Sequence, residues 1–235
     1  MGNDPRKRQK KLERRAAKRK EKRHVRVREQ SAGLAERLSA AVPFPVLHCW
    51  IGNSIADEGI GWVVLSRAMP NASVAVASFL VDSYCLGVKN AHAEILPRSD
   101  YDHKYSRKMM SDMPSRSAAP AEARKLVEEA IAYARDLGFS PHPDCSKAMI
   151  LFGDINAADS DTHFEFGKDG KPFFVSGPND SPERCKQIVA ILNKACGPGR
   201  YDYVVALSSS QRIVAGPDAR EGDIVEIEDF DDEEG

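Results

Sequence analysis

Ser73-Val74-Ala75-Val76-Ala77-Ser78-Phe79-Leu80-Val81-Asp82 decides the fold. Successive side chains of a strand point to opposite faces, so this segment can be read as two interleaved rows. Val74, Val76 and Leu80 make one row; Ala75, Ala77, Phe79 and Val81 make the other. Both are apolar, which predicts an interior strand covered on both sides. Working outward, 46–51, 60–66 and 86–96 are also rich in Val, Ile, Leu and aromatic residues. Gly52-Asn53, Met69-Pro70-Asn71 and Ser83-Tyr84 separate them. Strands joined by such short links predict an antiparallel meander.

Downstream the period changes. Within 97–119, Tyr101, Tyr105 and Met109 recur every fourth residue, predicting a short amphipathic helix. Over 120–137, Ala123, Leu126, Val127, Ala130, Ile131, Ala134 and Leu137 form one helical stripe closed by Gly138. A short helix is expected in 144–151. Lys168-Asp169-Gly170-Lys171 between 163–166 and 172–176 predicts a hairpin, because Asp-Gly accepts positive φ. Ser181-Pro182 opens a helix whose stripe is Cys185, Ile188, Val189, Leu192 and Ala195, and 201–207 reads as a last strand. The order β-β-β-β-α-β-β-α-β predicts an α+β fold, an antiparallel sheet of meander plus hairpin with packed helices. The expected divisions are a basic arm and linker at 1–41, a globular domain at 42–208 and an acidic disordered tail at 209–235.

The 235 residues carry a net charge of −1, but very unevenly. Residues 1–30 hold 14 basic and 4 acidic side chains, or +10; residues 218–235 hold 1 and 10, or −9. The remainder carries −2. Twelve of the eighteen residues at 6–23 are basic: Arg6, Lys7, Arg8, Lys10, Lys11, Arg14, Arg15, Lys18, Arg19, Lys20, Lys22 and Arg23. Asp4-Pro5 is a helix start, yet Leu12, Ala16, Ala17, Val25 and Val27 line no single face. The arm is therefore expected to be a solvated helix or disordered, with no face for the core or for a membrane. Such charge density neutralises phosphates and releases counterions. Without aromatic residues, the arm offers no base stacking and no sequence readout. The expected partner is nucleic acid (RNA, DNA or a ribosome surface) through 6–28. The alternatives are a nuclear targeting signal, an anionic membrane surface, or merely a solvated tail.

The acidic tail reads either as a solubilising end or as a competitor of nucleic acid for the arm, since the two charges nearly cancel. No run reaches the roughly 18 apolar residues a membrane helix needs, and no apolar segment follows the basic N-terminus as a signal peptide requires. Cys49, Cys85, Cys145, Cys185 and Cys196 are odd in number and widely spaced, without CxxC. Reduced, buried thiols in a cytoplasm are expected, with no disulfide and no zinc ribbon. No cofactor motif is present: G-x-S-x-G, H-E-x-x-H, the Walker loop and the dinucleotide fingerprint are all missing.

Three constellations could carry chemistry. Asp154, Asn156, Asp159, Asp161 and His163 could hold a divalent cation, but their spacing departs from the calcium loop and also suits a polar turn. Cys85 near Lys89 and Asp82 could be an activated thiol or buried packing. His142 and Cys145 supply two metal ligands where a site needs more. His48 and Cys49, adjacent on a strand, point to opposite faces and cannot share an ion.

The stretches Phe79-Leu-Val-Asp-Ser-Tyr-Cys-Leu-Gly-Val-Lys-Asn90 and Phe166-Gly-Lys-Asp-Gly-Lys-Pro-Phe-Phe-Val-Ser-Gly-Pro178, with Gly138-Phe-Ser-Pro-His-Pro-Asp144 between them, resemble segments of an uncharacterised bacterial protein family. The resemblance covers roughly 46–207. It implies a bacterial cytoplasmic protein and carries no activity or site residue. The leading expectation is a cytoplasmic nucleic-acid- or ribosome-associated binding protein. The alternatives are a metal-assisted hydrolase acting on nucleic acid through 154–163, and an interaction module whose arm pairs with an acidic partner or with its own tail.

Overall fold

A computed structural model describes residues 33–70, 72–208, 211–215 and 225–226. A helix at 33–41 (α1) leads into β1 (Val46–Gly52), a short α2 (Ser54–Glu58), β2 (Ile60–Met69), β3 (Ser73–Asp82) and β4 (Gly87–Pro97). These strands pair antiparallel in the order β4-β3-β2-β1, and β5 (Ser115–Ser117) closes the sheet beside β1. The fold is α+β and the meander forms. β5 has no apolar alternation to announce it; its pairing to Trp50 and Ile51 is made by backbone alone.

Both rows of β3 are buried apart from the half-buried Leu80, each under a different cover. Ala75, Ala77, Phe79 and Val81 face α4 (Pro120–Asp136), α5 (Cys145–Met149) and α1 in the larger core. The α4 stripe was legible: Ala123, Leu126, Val127 and Ala130 are buried there. Phe79 stacks near Phe152, with ring centroids 5.8 Å apart. Each such side chain contributes about 1.5–3 kcal/mol. At Gly87 (φ 64°) a Cβ would lie 2.7 Å from the Ala130 carbonyl oxygen, so only glycine lets α4 approach β4 this closely.

One charged side chain enters this layer. Arg67, 5% exposed, donates from Nε to the Leu151 carbonyl at 2.9 Å, from Nη1 to Phe44 at 2.7 Å and from Nη2 to Phe152 at 3.3 Å. A planar fork of donors suits three carbonyls from two separate loops. Burial lowers its pKa, and the charge of Asp154 opposes that shift.

The last third differs from expectation. Asp169 (φ 53°) and Gly170 (φ 77°) form the tight turn, closed by hydrogen bonds between Lys168 and Lys171. The hairpin stops at that one bridge, and 163–166 is not a strand. Phe164 and Phe166 pack on the larger core, while the Gly167 and Phe173 amides donate to the Ser83 and Tyr84 carbonyls. The two arms are thus held by the β3–β4 turn instead of by each other. β6 (Phe173–Val175) then pairs parallel to β7 (Asp202–Ser208) through the crossover helix α6 (Pro182–Cys196). Phe174, Cys185, Ile188 and Leu192 form a second core with Leu137 and Phe139.

Described elements lie on both sides of the expected 42–208 range. Leu38 and Ala41 are fully buried in the larger core, so the folded unit starts before 42. β8 (Gln211–Ala215) and β9 (Val225–Glu226) extend the second sheet past 208. Gln-Arg-Ile-Val-Ala has strand character, although it lies in the range expected to be a tail.

Candidate functional site

The second row of β3 and its neighbours face a different helix. α3 (Arg98–Tyr101) continues into two π-helical turns, Asp102–Ser106 and Lys108–Asp112. Tyr101, Tyr105, Met109 and Met113 all join Val64, Val74 and Val76 in a third cluster. Their spacing explains the wide turns. Residues four apart drift about 40° per step on an α-helix, which would carry Met113 about 120° off the sheet. A π turn holds more residues and removes that drift.

Tyr101 anchors the helix. Its hydroxyl lies 2.8 Å from Ser66 Oγ and 2.9 Å from His48 Nδ1. Its ring stacks with Tyr105 at 5.7 Å and Trp50 at 6.5 Å, and Trp50 stacks on His48 at 4.4 Å. Burial lowers the His48 pKa below 6.5; Arg98 lowers it further and Asp102 opposes. The unfolded chain then binds a proton that the folded one refuses, so stability is complete above pH 6.5 and falls as pH drops through the folded value. Urea midpoints measured between about pH 5 and 8 should show this fall, and His48→Gln should flatten it.

Beyond Tyr105 the cover thins and a groove of about 340 Å³ opens over the sheet. Trp62, Ser78, His92, Lys104, Lys108, Met109 and Met113 line it with Tyr105 and Val64. Glu94 organises the rim. Burial pushes its carboxyl upward, but hydrogen bonds from Lys104 and from the Tyr105 hydroxyl (2.7 Å) more than offset this and hold it below the usual range. Burial also raises the Tyr105 phenol, as does its bond to Glu94. Ser78, buried, donates to that phenol. Half-buried Trp62, unlike Trp50, stacks on no ring among the described residues. Exposed Lys108 stands one turn from Lys104. The groove can therefore hold a small planar apolar body with a negative group at its rim. Sequence reading found Tyr101, Tyr105 and Met109; it missed Trp62, Lys104 and Lys108, whose proximity depends on β2 crossing beneath the helix.

A larger cleft of about 750 Å³ lies between α2, β5 and the 163–169 loop. Its charges are mixed: Arg116, Lys168, Asp57, Glu165 and Asp169. Arg116 is already held by both carboxylate oxygens of Glu122.

The sequence-derived candidates separate cleanly. Arg6 to Arg23 lie outside the described residues. Asp154, Asn156, Asp159, Asp161 and His163 are all exposed. Asn156 caps the turn that follows, accepting from the Ala158 amide at 3.1 Å and donating to Asp159 at 3.4 Å. Among the described residues no three His, Cys, Asp or Glu side chains converge on a possible metal position. The Asp82 carboxylate accepts from the Tyr84 and Cys85 amides at 3.1 and 2.9 Å, which makes it a turn former. The Cys85 thiol is fully buried, and burial followed by the Asp82 charge pushes its pKa upward, opposite to activation. Burial likewise raises Cys145 to about 11 and, with Glu122, Cys49 to about 12. His142 Nδ1 accepts from the Asp144 amide, another local turn. His48 and Cys49 do face opposite sides, the third cluster and the larger core. No described helix is long and apolar enough to cross a membrane. Compared with models of known protein families, with curated proteins and with solved structures, the chain gives no match.

Proposed function

We propose that this protein binds nucleic acid non-specifically through Arg6, Lys7, Arg8, Lys10, Lys11, Arg14, Arg15, Lys18, Arg19, Lys20, Lys22 and Arg23. One observation carries the reading: +10 sits in thirty residues beside a body near neutrality. The body's small net charge adds little net attraction for phosphate, so the arm dominates the electrostatics. Its root is supported too, since Leu38 and Ala41 of α1 lie fully buried a few residues downstream. A polyanion held by the arm is thereby tethered to the domain. Five free cysteines, four of them buried, suit a reducing cytoplasm, and the resemblance above suggests a bacterial one. The hydrolase reading draws no support from the geometry, because Asp154, Asn156, Asp159, Asp161 and His163 are exposed and among the described residues form no group of three able to hold a metal. The test replaces the twelve arm cations by Gln in the full chain. Duplex binding at low salt should weaken at least a thousandfold, with the circular dichroism unchanged. Equal affinity of both chains would refute the reading.

A further inference from the structure

We propose that the groove beside the π-helical turns receives one unstacked base of a single-stranded nucleic acid, with its phosphate at Lys108. This rests on the nucleic-acid reading of the arm and adds a second, different contact to it. Three observations carry it. Trp62 stands half-buried in the groove without a ring partner among the described residues, while the aromatic rings beneath the same helix are stacked. Every base has a π-face that an open indole can accept. Met109 and Met113 supply the opposite wall with flexible thioethers, which pack well on rings. Finally, the rim is cationic, with Lys104 and Lys108, and Lys104 is already tied to Glu94. Lys108, exposed on the same rim, is placed to meet the phosphate.

The volume, about 340 Å³, is at the small end of ligand pockets and suits one planar group. The wide turns fit a functional role, since π turns concentrate at such sites. Reach is no obstacle. The 32 residues before α1 span up to about 105 Å when extended, against a radius of gyration of about 15 Å for a body of this size. A strand held by the arm would face the groove at millimolar effective concentration. Duplex bases are stacked and paired, so the groove selects single strands, which the arm alone does not.

The experiment uses the full chain with Trp50→Phe, leaving Trp62 as the sole tryptophan. Titration with thymidine monophosphate should quench Trp62 emission to saturation, whereas inorganic phosphate should not. Lys108→Gln should weaken this about threefold. In the otherwise unaltered chain, an oligothymidylate should bind about tenfold tighter than an abasic strand of equal length. Trp62→Leu should erase that difference and Trp62→Phe should retain most of it, with circular dichroism showing both folded. No quenching at about 10 mM, tenfold above a millimolar dissociation constant, would overturn the proposal. So would equal affinity for the oligothymidylate and the abasic strand. The two readings fail separately. A failed arm leaves the monophosphate quenching intact; a failed groove leaves salt-sensitive binding that ignores the bases.

Discussion

Affinity of the full chain for duplex DNA is expected to fall about 100,000-fold between about 50 and 200 mM salt. The size follows from charge counting. Residues 1–30 carry a net +10, so about ten phosphates can be neutralised at once. Each releases close to one condensed counterion, giving a log–log slope near −9 on duplex and a shallower one on single strands. No large compensating term comes from the body, whose net charge is small. Fluorescence anisotropy across a salt series measures the slope directly. A slope flatter than about −3 would mean that only a few arm cations meet phosphate, and the arm would not be the main contact.

The largest stability effect is expected at Arg67. Replacement by Met keeps much of the volume but removes three donors. It leaves the Phe44 and Leu151 carbonyls without the Arg67 bonds they now receive, while the Phe152 carbonyl keeps only the Ile155 amide. An unsatisfied buried acceptor costs about 1–3 kcal/mol, so a total loss of about 4 kcal/mol is expected. Arg67→Lys should recover less than half, because one ammonium cannot span three carbonyls. Urea unfolding measures both. A loss under about 1 kcal/mol for the Met variant would show that water or neighbouring groups replace the fork.

Arg67 also illustrates what the sequence hides. It lies in a run of strand residues, and nothing local marks it as buried. Its three acceptors sit far away in the chain and converge only once α5 has docked on the sheet. The meander was readable because its strands are consecutive and their apolar residues β-branched. The stripe of α4 was readable because Ala123, Leu126, Val127 and Ala130 repeat at helical spacing. The Asp169-Gly170 turn was readable too, but not what its arms do. Phe164 and Phe166 are drawn to one core and Phe174 to another, a competition between distant partners. The groove was half legible. Tyr105 and Met109 gave one wall, while Trp62 on the other comes from a strand more than forty residues before Tyr105. The arm was legible as charge alone.

The wide turns of 102–112 have a consequence for how this chain tolerates change in length. Surface loops usually absorb a gained or lost residue with little effect. Here the four-residue repeat is matched to the width of the helix. Losing one residue between Tyr105 and Met109 would rotate everything downstream by roughly a quarter turn. Met109 and Met113 would leave the sheet, and Lys108 would leave the rim. Among sequences descended from the same ancestor, substitutions along this segment should be far easier to accommodate than insertions or deletions, although it connects two strands as a loop would.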